Sequence, residues 1–497
     1  MKSKVENQGV KMEKQNKKSS AQKEEKQGIT EKKSGDFSEW YNQVVLKAEL
    51  ADYAPVKGFM VIRPRAYELW EDIQNYFNKI ISRQKVHNAY FPLLIPESFF
   101  RKEAEHAEGF GPELAWIENK EESEERVAIR PTSETIMYDS YGKWIRSWRD
   151  LPLRINQWCN VLRWEVKQTK LFLRTREFLW QEGHCVYATE QECVKEALLF
   201  LEEYKKMAEG LLAIPIISGE KTSGERFAGA KQTFTIEALM PDGKALQMGT
   251  SHNLGQNFAK SFGITFLDEK ANRQFAWQNS WGFSTRLIGA VVMVHSDDKG
   301  LVLPPKIARE KVVIVPILFD ESRQKVLKKA HELAIKLSKF NAFVDERDGY
   351  SAGWKFNEWE LKGIPVRLEI GPKDMEKNQA VLVRRDNFQK KAVKISAIEK
   401  ELSKMLEEMQ SDLFKNAKKF LDGNIAEAKT WQEMKGMLDQ KKMVLAPFCN
   451  EAGCEKEIKG ETTATARCIP FGQKKTVSKC VKCGKNAEIK VLFAKGY

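Results

Sequence analysis

The chain has 497 residues, more than one hydrophobic core organises, and this length fits about three domains. Its 42% hydrophobic and 30% charged residues are ordinary for a globular protein, and its longest apolar runs, such as 287–294 and 312–319, reach only 8 residues, which excludes a membrane-spanning helix. The formal charge is +13; residues 1–35 hold ten Lys and five Glu, so +8 remains on the rest, which fits either plain solubility or a polyanionic partner.

In chain order, residues 1–35 are rich in Lys, Gln, Ser and Glu and have almost no large apolar side chain, so a disordered tail is expected. Nothing in it resembles the apolar core of a secretory signal, and a cytoplasmic protein is expected. Residues 37–83 carry helical spacing of aromatics and aliphatics, including Tyr67, Leu69, Trp70, Ile73, Tyr76, Phe77, Ile80 and Ile81. Ala89–Pro96 reads as a helix-to-strand passage. Short β-like runs fill 115–185, an amphipathic helix 190–212, and further short apolar segments 214–295, the pattern of an antiparallel sheet with flanking helices. After Pro304-Pro305 the order is strand 312–319, helix 321–339, strand 340–345, helix 352–361, strands 366–370 and 380–385, then helix 394–420, an α/β unit. Residues from about 424 carry five of the eight cysteines.

The chemistry concentrates in three arginines. Arg163 and Arg174 lie in a β-rich stretch, with Phe178 four residues after the second, and Arg286 follows a Gly-rich apolar segment about 100 residues later. Planar, permanently charged guanidinium groups suit phosphate oxygens, and an aromatic face suits a purine. Neither G-x-x-x-x-G-K-[ST] nor G-x-G-x-x-G occurs, so a nucleotide site here must be built from side chains.

Arg163-Trp164-Glu165 with Phe178–His184, and Trp281–Arg286, resemble motifs 2 and 3 of class II aminoacyl-tRNA synthetases. With Arg130–Glu134, Gly249–Phe258 and the terminal cysteine pattern in order, the chain from about Asp36 to Tyr497 resembles the prolyl-tRNA synthetase family of the archaeal/eukaryotic-like type. That resemblance implies an α+β multidomain protein: a class II catalytic core on an antiparallel sheet over 36–305, an α/β anticodon-binding domain over 306–420, and a small α/β zinc-binding domain over 421–497. It implies an enzyme that joins L-proline to tRNA(Pro) through a prolyl-adenylate, using ATP with Mg²⁺. Segment 89–96 resembles motif 1, which implies a homodimer; a plain core strand is the other reading.

On the resemblance, Arg163 contacts the α-phosphate and the substrate carboxylate. Arg174 and Arg286 hold the β- and γ-phosphates, and Phe178 stacks on adenine. Thr175, Gln247, Thr250 and Ser284 complete the ATP shell, and Glu165 fills the acidic position of motif 2, contacting adenine or the tRNA end. Thr132 and Glu134 accept the two N–H groups of the proline amine, and His252 belongs to the proline pocket. From the residues alone, Thr132-Ser133-Glu134 also reads as a helix N-cap before an apolar run. His184 stays unassigned between packing and substrate. Gly353–Phe356, Glu369, Lys373, Asp374, Arg384 and Arg385 are the expected anticodon contacts, with a solvated charged face as the alternative.

Cys449-x₄-Cys454 and Cys480-x₂-Cys483, separated by 25 residues, make a four-thiolate zinc pattern of structural type. Cys468 reads as a packing residue. About 60 residues separate His184 from Gln247, too few for an editing domain, so no cis hydrolysis of mischarged alanine is expected; a compact pocket discriminates poorly against a slightly smaller substrate, so some alanine activation is expected too. The alternatives are a sister synthetase for threonine or glycine, a non-catalytic paralogue that only binds tRNA, and an added RNA-binding role for the Lys-rich tail.

Overall fold

The computed structural model describes residues 28–104, 113–118, 124–475 and 477–497. Most of the expected disordered tail lies outside them. From Gly28 the chain is fixed to the body: Lys47 Nζ donates to Gly28 O (2.7 Å), Thr30 N to Gln43 Oε1 (2.8 Å), and Lys33 Nζ to Ser296 O (2.7 Å).

The helical stretch expected over 37–83 is two helices. Asp36 caps α1 (Phe37–Lys47) by accepting from Ser38 N and Glu39 N. Two short paired strands, Ala51–Tyr53 and Met60–Ile62, interrupt the pattern, with Pro55 and Gly58 between them. Pro64 then opens α2 (Pro64–Arg83) at its first turn, where a missing N–H costs nothing. The buried face of α2 sends Phe77 against Trp158, Tyr204, Trp281 and Phe283, the aromatic centre of the main core.

That core covers one face of an antiparallel sheet. In space its strands run β3 (Ile217–Glu220), β4 (Gln232–Leu239), β5 (Ala245–Gly255), β6 (Trp277–Ser284), β2 (Glu177–Tyr187) and β1 (Leu153–Leu162). Helix α3 (Glu190–Gly210) packs behind β5 and β6, burying Phe200 against Trp281 in a stacked pair, and α4 (Arg286–His295) follows β6 directly. Gly183 on β2 faces the Trp281 ring so closely that a Cβ there would come within 2.2 Å of it. The residues between His184 and Gln247 are consumed by α3, β3 and β4 of this core.

The second unit has β7 (Val312–Pro316), α5 (Arg323–Lys336), β8 (Phe343–Val344), α6 (Ala352–Leu361), β9 (Val366–Ile370), β10 (Gln379–Arg384), β11 (Lys390–Lys394) and α7 (Ile398–Gly423). Its sheet order is β8-β7-β9-β10-β11, parallel at first and antiparallel at the last two pairs. Strand β11 was not anticipated: it is four-fifths exposed, so its Lys-rich sequence carries no alternating pattern.

The C-terminal segment adds strands Ile425–Glu427, β12 (Met443–Phe448), β13 (Thr465–Pro470) and β14 (Ile489–Ala494). Residues of β13 pair with β3 (Ile469 with Glu220, Pro470 with Gly219), so these four strands, the six above and the short edge strand His87–Asn88, which pairs with β1, form one 11-stranded sheet. The chain end docks on β5: Ala245 N donates to Lys495 O (2.7 Å) and Tyr497 N to Ala245 O (3.2 Å).

Candidate active site

Strand periodicity builds the site. Phe178, Trp180, Glu182 and His184 alternate along β2 and share the face away from the aromatic core. Ser284, Gly282 and Ser280 of β6 lie opposite Trp180, Glu182 and His184 and share that face. On β5 the register shifts between Gln247 and Gly249, a bulge that changes the parity of the strand, so Gln247, Thr250 and His252 all point the same way. Together with Thr132, Glu134, Arg163, Lys221, Glu225, Phe227 and Arg286, these residues line a cavity of about 270 Å³.

At one end is the Thr132–Glu134 turn, which starts the helix Glu134–Trp144. Thr132 donates to Glu134 Oε2, and both side chains are buried. Ser133 makes no capping bond; its hydroxyl donates to Glu182 Oε1 (2.5 Å) instead. Glu182 also accepts from Gln157 Nε2 (3.1 Å) and meets His184 Nε2 (3.0 Å), and His184 Nδ1 bonds Tyr138 OH (3.0 Å). Burial opposes both charges, yet the Glu182 bond raises the His184 pKa, while His184, Ser133 and Gln157 lower that of Glu182. They form a buried, hydrogen-bonded pair beneath the turn. His252 differs: burial, with His184 and Lys221 nearby, lowers its pKa to about 3 and keeps it neutral. Its nitrogens meet Thr233 Oγ1 (3.0 Å) and Thr250 Oγ1 (3.1 Å), and Phe227 lies over its ring at 4.8 Å.

The other end is cationic. Arg163 lies over Phe178 and Trp180, 5.3 and 5.7 Å from the ring centroids. Arg286 donates to Leu173 O (3.0 Å) and Gln247 O (3.2 Å). Burial, then the charges of Arg163 and Arg467, pull its pKa to about 10, so it stays charged at neutral pH beside like charges. Such a pair suits a polyanion. Of the residues expected here, Glu165, Arg174 and Thr175 do not line the cavity. Glu165 and Arg174 are exposed, and the Thr175 hydroxyl donates to Glu177 O (2.6 Å).

Several site residues had no signal in the sequence. Lys221 Nζ, at the cavity wall, meets Glu237 Oε1 (2.8 Å), and Arg467 from β13 meets Glu237 Oε2 (2.7 Å). These partners are 16 and 230 residues apart, beyond any local pattern. Glu182 and Phe227 were missed too, although Glu182 and His184 two apart on a strand are a legible same-face pair.

The four cysteines of the zinc pattern converge, their sulfur atoms all within 4.8 Å of one another. Cys454 and Cys480 are 3.7 Å apart and Cys449 and Cys483 3.6 Å apart. A tetrahedral site with Zn–S bonds of about 2.3 Å requires sulfurs about 3.8 Å apart, so the donor set fits zinc. Cys468 packs with Leu239, Leu492 and Ala494.

In the second unit several charged residues expected at its surface are internal. Arg384 pairs with Asp386 (2.7 Å) and Asp412 (2.9 Å), Glu369 with Arg367 (3.0 Å), and Lys355 donates to Asp345 O (2.9 Å). Arg385 makes a two-pronged bond to Asp297 at the end of α4 (2.8 and 2.7 Å), joining the unit to the core. Lys373 and Asp374 lie on the short helix Pro372–Glu376, where Asp374 accepts from Gly371 N (3.1 Å).

Three family models match the chain: the tRNA synthetase class II core domain (G, H, P, S and T) over residues 116–295, the anticodon binding domain over 311–405, and the prolyl-tRNA synthetase C-terminal domain over 431–497. A proline--tRNA ligase of Alkaliphilus oremlandii is 52% identical over 466 residues, 93% of this chain and 96% of that protein. Proline--tRNA ligase 2 of Clostridioides difficile is 48% identical over 96% of this chain and its whole length. The crystal structure of prolyl-tRNA synthetase from Cryptosporidium parvum, complexed with halofuginone and AMPPNP, superposes with a TM-score of 0.90 at 43% identity, covering 95% of this chain and 98% of that one. With the class II core, the anticodon unit and the C-terminal module all present in order, the chain belongs to the prolyl-tRNA synthetase family.

Proposed function

We infer that this chain attaches L-proline to tRNA(Pro) in two ATP-dependent steps. The observation that carries the reading is one cavity with a buried acceptor pair, Thr132 and Glu134, at one end and the guanidinium groups of Arg163 and Arg286 at the other. On this reading the proline NH₂⁺ gives one N–H to Thr132 and one to Glu134, beside neutral His252. Arg163 holds the carboxylate and the α-phosphate together, so the carboxylate oxygen attacks phosphorus in line and pyrophosphate leaves. Arg286 and, from the rim, Arg174 take the β- and γ-phosphates. Phe178 faces adenine, and Gln247, Thr250 and Ser284 bond the rest of the nucleotide, with Glu165 and Thr175 shaping the motif around it. Magnesium bound with ATP would offset part of the charge that Arg163 and Arg286 face. The terminal 3′-hydroxyl of tRNA then attacks the adenylate carbonyl and AMP leaves, with the adenylate phosphate positioned to accept the proton.

Further parts of the reading rest on coarser support. We assign residues 36–305 to catalysis, 306–420 to anticodon binding and 421–497 to a module whose Cys449, Cys454, Cys480 and Cys483 hold structural zinc. No separate hydrolytic domain intervenes between motifs 2 and 3, so mischarged alanine is not edited in cis. The exposed Tyr90 and Leu94 within the motif 1 segment 89–96 are where a second copy docks as a homodimer. No described helix is long and apolar enough to cross a membrane, and we assign the enzyme to the cytoplasm on the strength of its proposed substrates.

The test is transfer of labelled proline to tRNA(Pro). ATP-dependent, acid-precipitable label is the expected result, and none from the folded protein would overturn the reading.

A further inference from the structure

The cavity wall formed by residues 221–227 is held from outside the catalytic core. Lys221, Glu225 and Phe227 face the cavity. Phe227 covers His252, and its N–H donates to Thr233 Oγ1 (3.0 Å), the same hydroxyl that meets His252 Nδ1. Between these lining residues, Thr222 turns its side chain the other way. It is fully buried and donates to both carboxylate oxygens of Glu455 (2.9 and 3.1 Å). Gly224 lies against the same carboxylate, so closely that a Cβ there would come within 2.4 Å of Glu455 Oε2. Ser223 bonds Asn450, its hydroxyl donating to the Asn450 carbonyl (3.0 Å). Glu455 and Asn450 each adjoin a cysteine of the thiolate cluster, Cys454 and Cys449.

A carboxylate that is 7% exposed costs folding free energy, and this one is spent on clasping a turn 233 residues away in sequence. Packing alone does not require it, since an apolar pair of the same shape fills such a contact without that cost. What the clasp fixes is the position of Phe227 over His252 and of Lys221 at the cavity.

We propose that Glu455 and Thr222 are positioning residues for amino-acid binding: through residues 221–227, the C-terminal module sets the wall against which the amino acid docks. This rests on the proline reading above. Nothing in the clasp touches Arg163 or Arg286, so it acts on amino-acid affinity and leaves the nucleotide end alone.

Thr222→Val, Thr222→Ser and Glu455→Ala, in the full zinc-loaded chain, separate the possibilities. Proline affinity is read two ways: as KM in ATP–pyrophosphate exchange, and as Kd from the fluorescence of Trp180 and Trp281, which line the cavity. Thr222→Val and Glu455→Ala are expected to raise both by roughly three- to tenfold, the loss of one or two buried hydrogen bonds. KM for ATP, kcat and zinc content should stay within about twofold, which is under half a kcal/mol, and Thr222→Ser should restore wild-type affinity. Unchanged proline KM and Kd in folded Thr222→Val would overturn the proposal, as would equal losses for proline and ATP. If Glu455→Ala fails to fold, the Thr222 pair alone decides. Wild-type exchange with proline is the internal control: its absence would strike the proline reading itself, a result distinct from unaffected variants.

Discussion

Glu134 is 4% exposed, and its one side-chain bond among the described residues is to Thr132. A buried carboxylate so lightly bonded is costly until a cationic N–H donor arrives, which suits a secondary ammonium. Glu134→Gln keeps the shape and removes the charge. A charge-assisted bond is worth about 2–3 kcal/mol, so kcat/KM for proline is expected to fall roughly 30- to 150-fold, with KM for ATP little changed. Steady-state exchange kinetics check this.

The histidines give a stability profile at the same scale. Burial holds His252 down to about 3, and burial holds His295, despite its bond to Leu212 O, down to about 4. Below pH 6.5 the unfolded chain takes up both protons and the folded chain does not. Stability is therefore present above 6.5 and lost as pH falls toward 4, by about 1.4 kcal/mol per pH unit for each histidine. His184 is raised, so its contribution is already complete below 6.5 and does not offset the loss. Urea midpoints between pH 7 and 4.5 should fall steadily; a flat profile would contradict the neutral assignment. At this scale much of the site was readable from motifs: Thr132, Glu134, Arg163, Phe178, Gln247, Thr250, His252, Ser284 and Arg286 all line one cavity, whereas Glu165, Arg174 and Thr175 of motif 2 do not. It was not readable for Lys221, Glu237 and Arg467, which meet only through the tertiary fold.

At the level of elements, the site depends on strand parity and one bulge. The alternation of Phe178, Trp180, Glu182 and His184 could be read from the chain, because a half-polar strand shows its period. The shift at Gln247/Gly249 could not, since it follows from pairing with β4 and not from local propensity. Arg384 and Arg385 illustrate the converse limit: their sequence resembles an exposed basic pair, yet each finds carboxylates contributed by distant elements. The cysteine module was legible because thiolates at metal spacing leave few alternatives. Cys480→Ser removes one of four converging donors, and zinc content is expected to drop from about one equivalent per chain toward zero, with faster proteolysis within 440–497. Atomic emission and limited trypsinolysis measure the two effects. Retention of a full equivalent would remove Cys480 from the ligand set.

For the whole molecule, catalytic and C-terminal strands share one sheet, and the segment from Gly28 is tied to the end of α4 through Lys33. Length, composition and motif order pointed to separate parts joined in series. The continuity of the sheet through β13 and β3 was invisible, because two residue pairs make it. Residues 1–27 contain eight Lys and four Glu. Deleting them should leave proline activation unchanged while lowering tRNA affinity and the steepness of its salt dependence. Extending the deletion to residue 35 also removes the Lys33 and Thr30 contacts and should lower the melting temperature; equal melting temperatures for the two deletions would contradict that anchoring role.

The central claim is that one cavity selects proline and couples it to ATP. Amino-acid-dependent ATP–pyrophosphate exchange across all twenty amino acids, with Arg163→Ala alongside, tests it most directly. Strong exchange with proline, weak exchange with alanine and loss of both in the variant is the predicted result. Exchange with another amino acid in preference to proline, or with none from the folded protein, would contradict it.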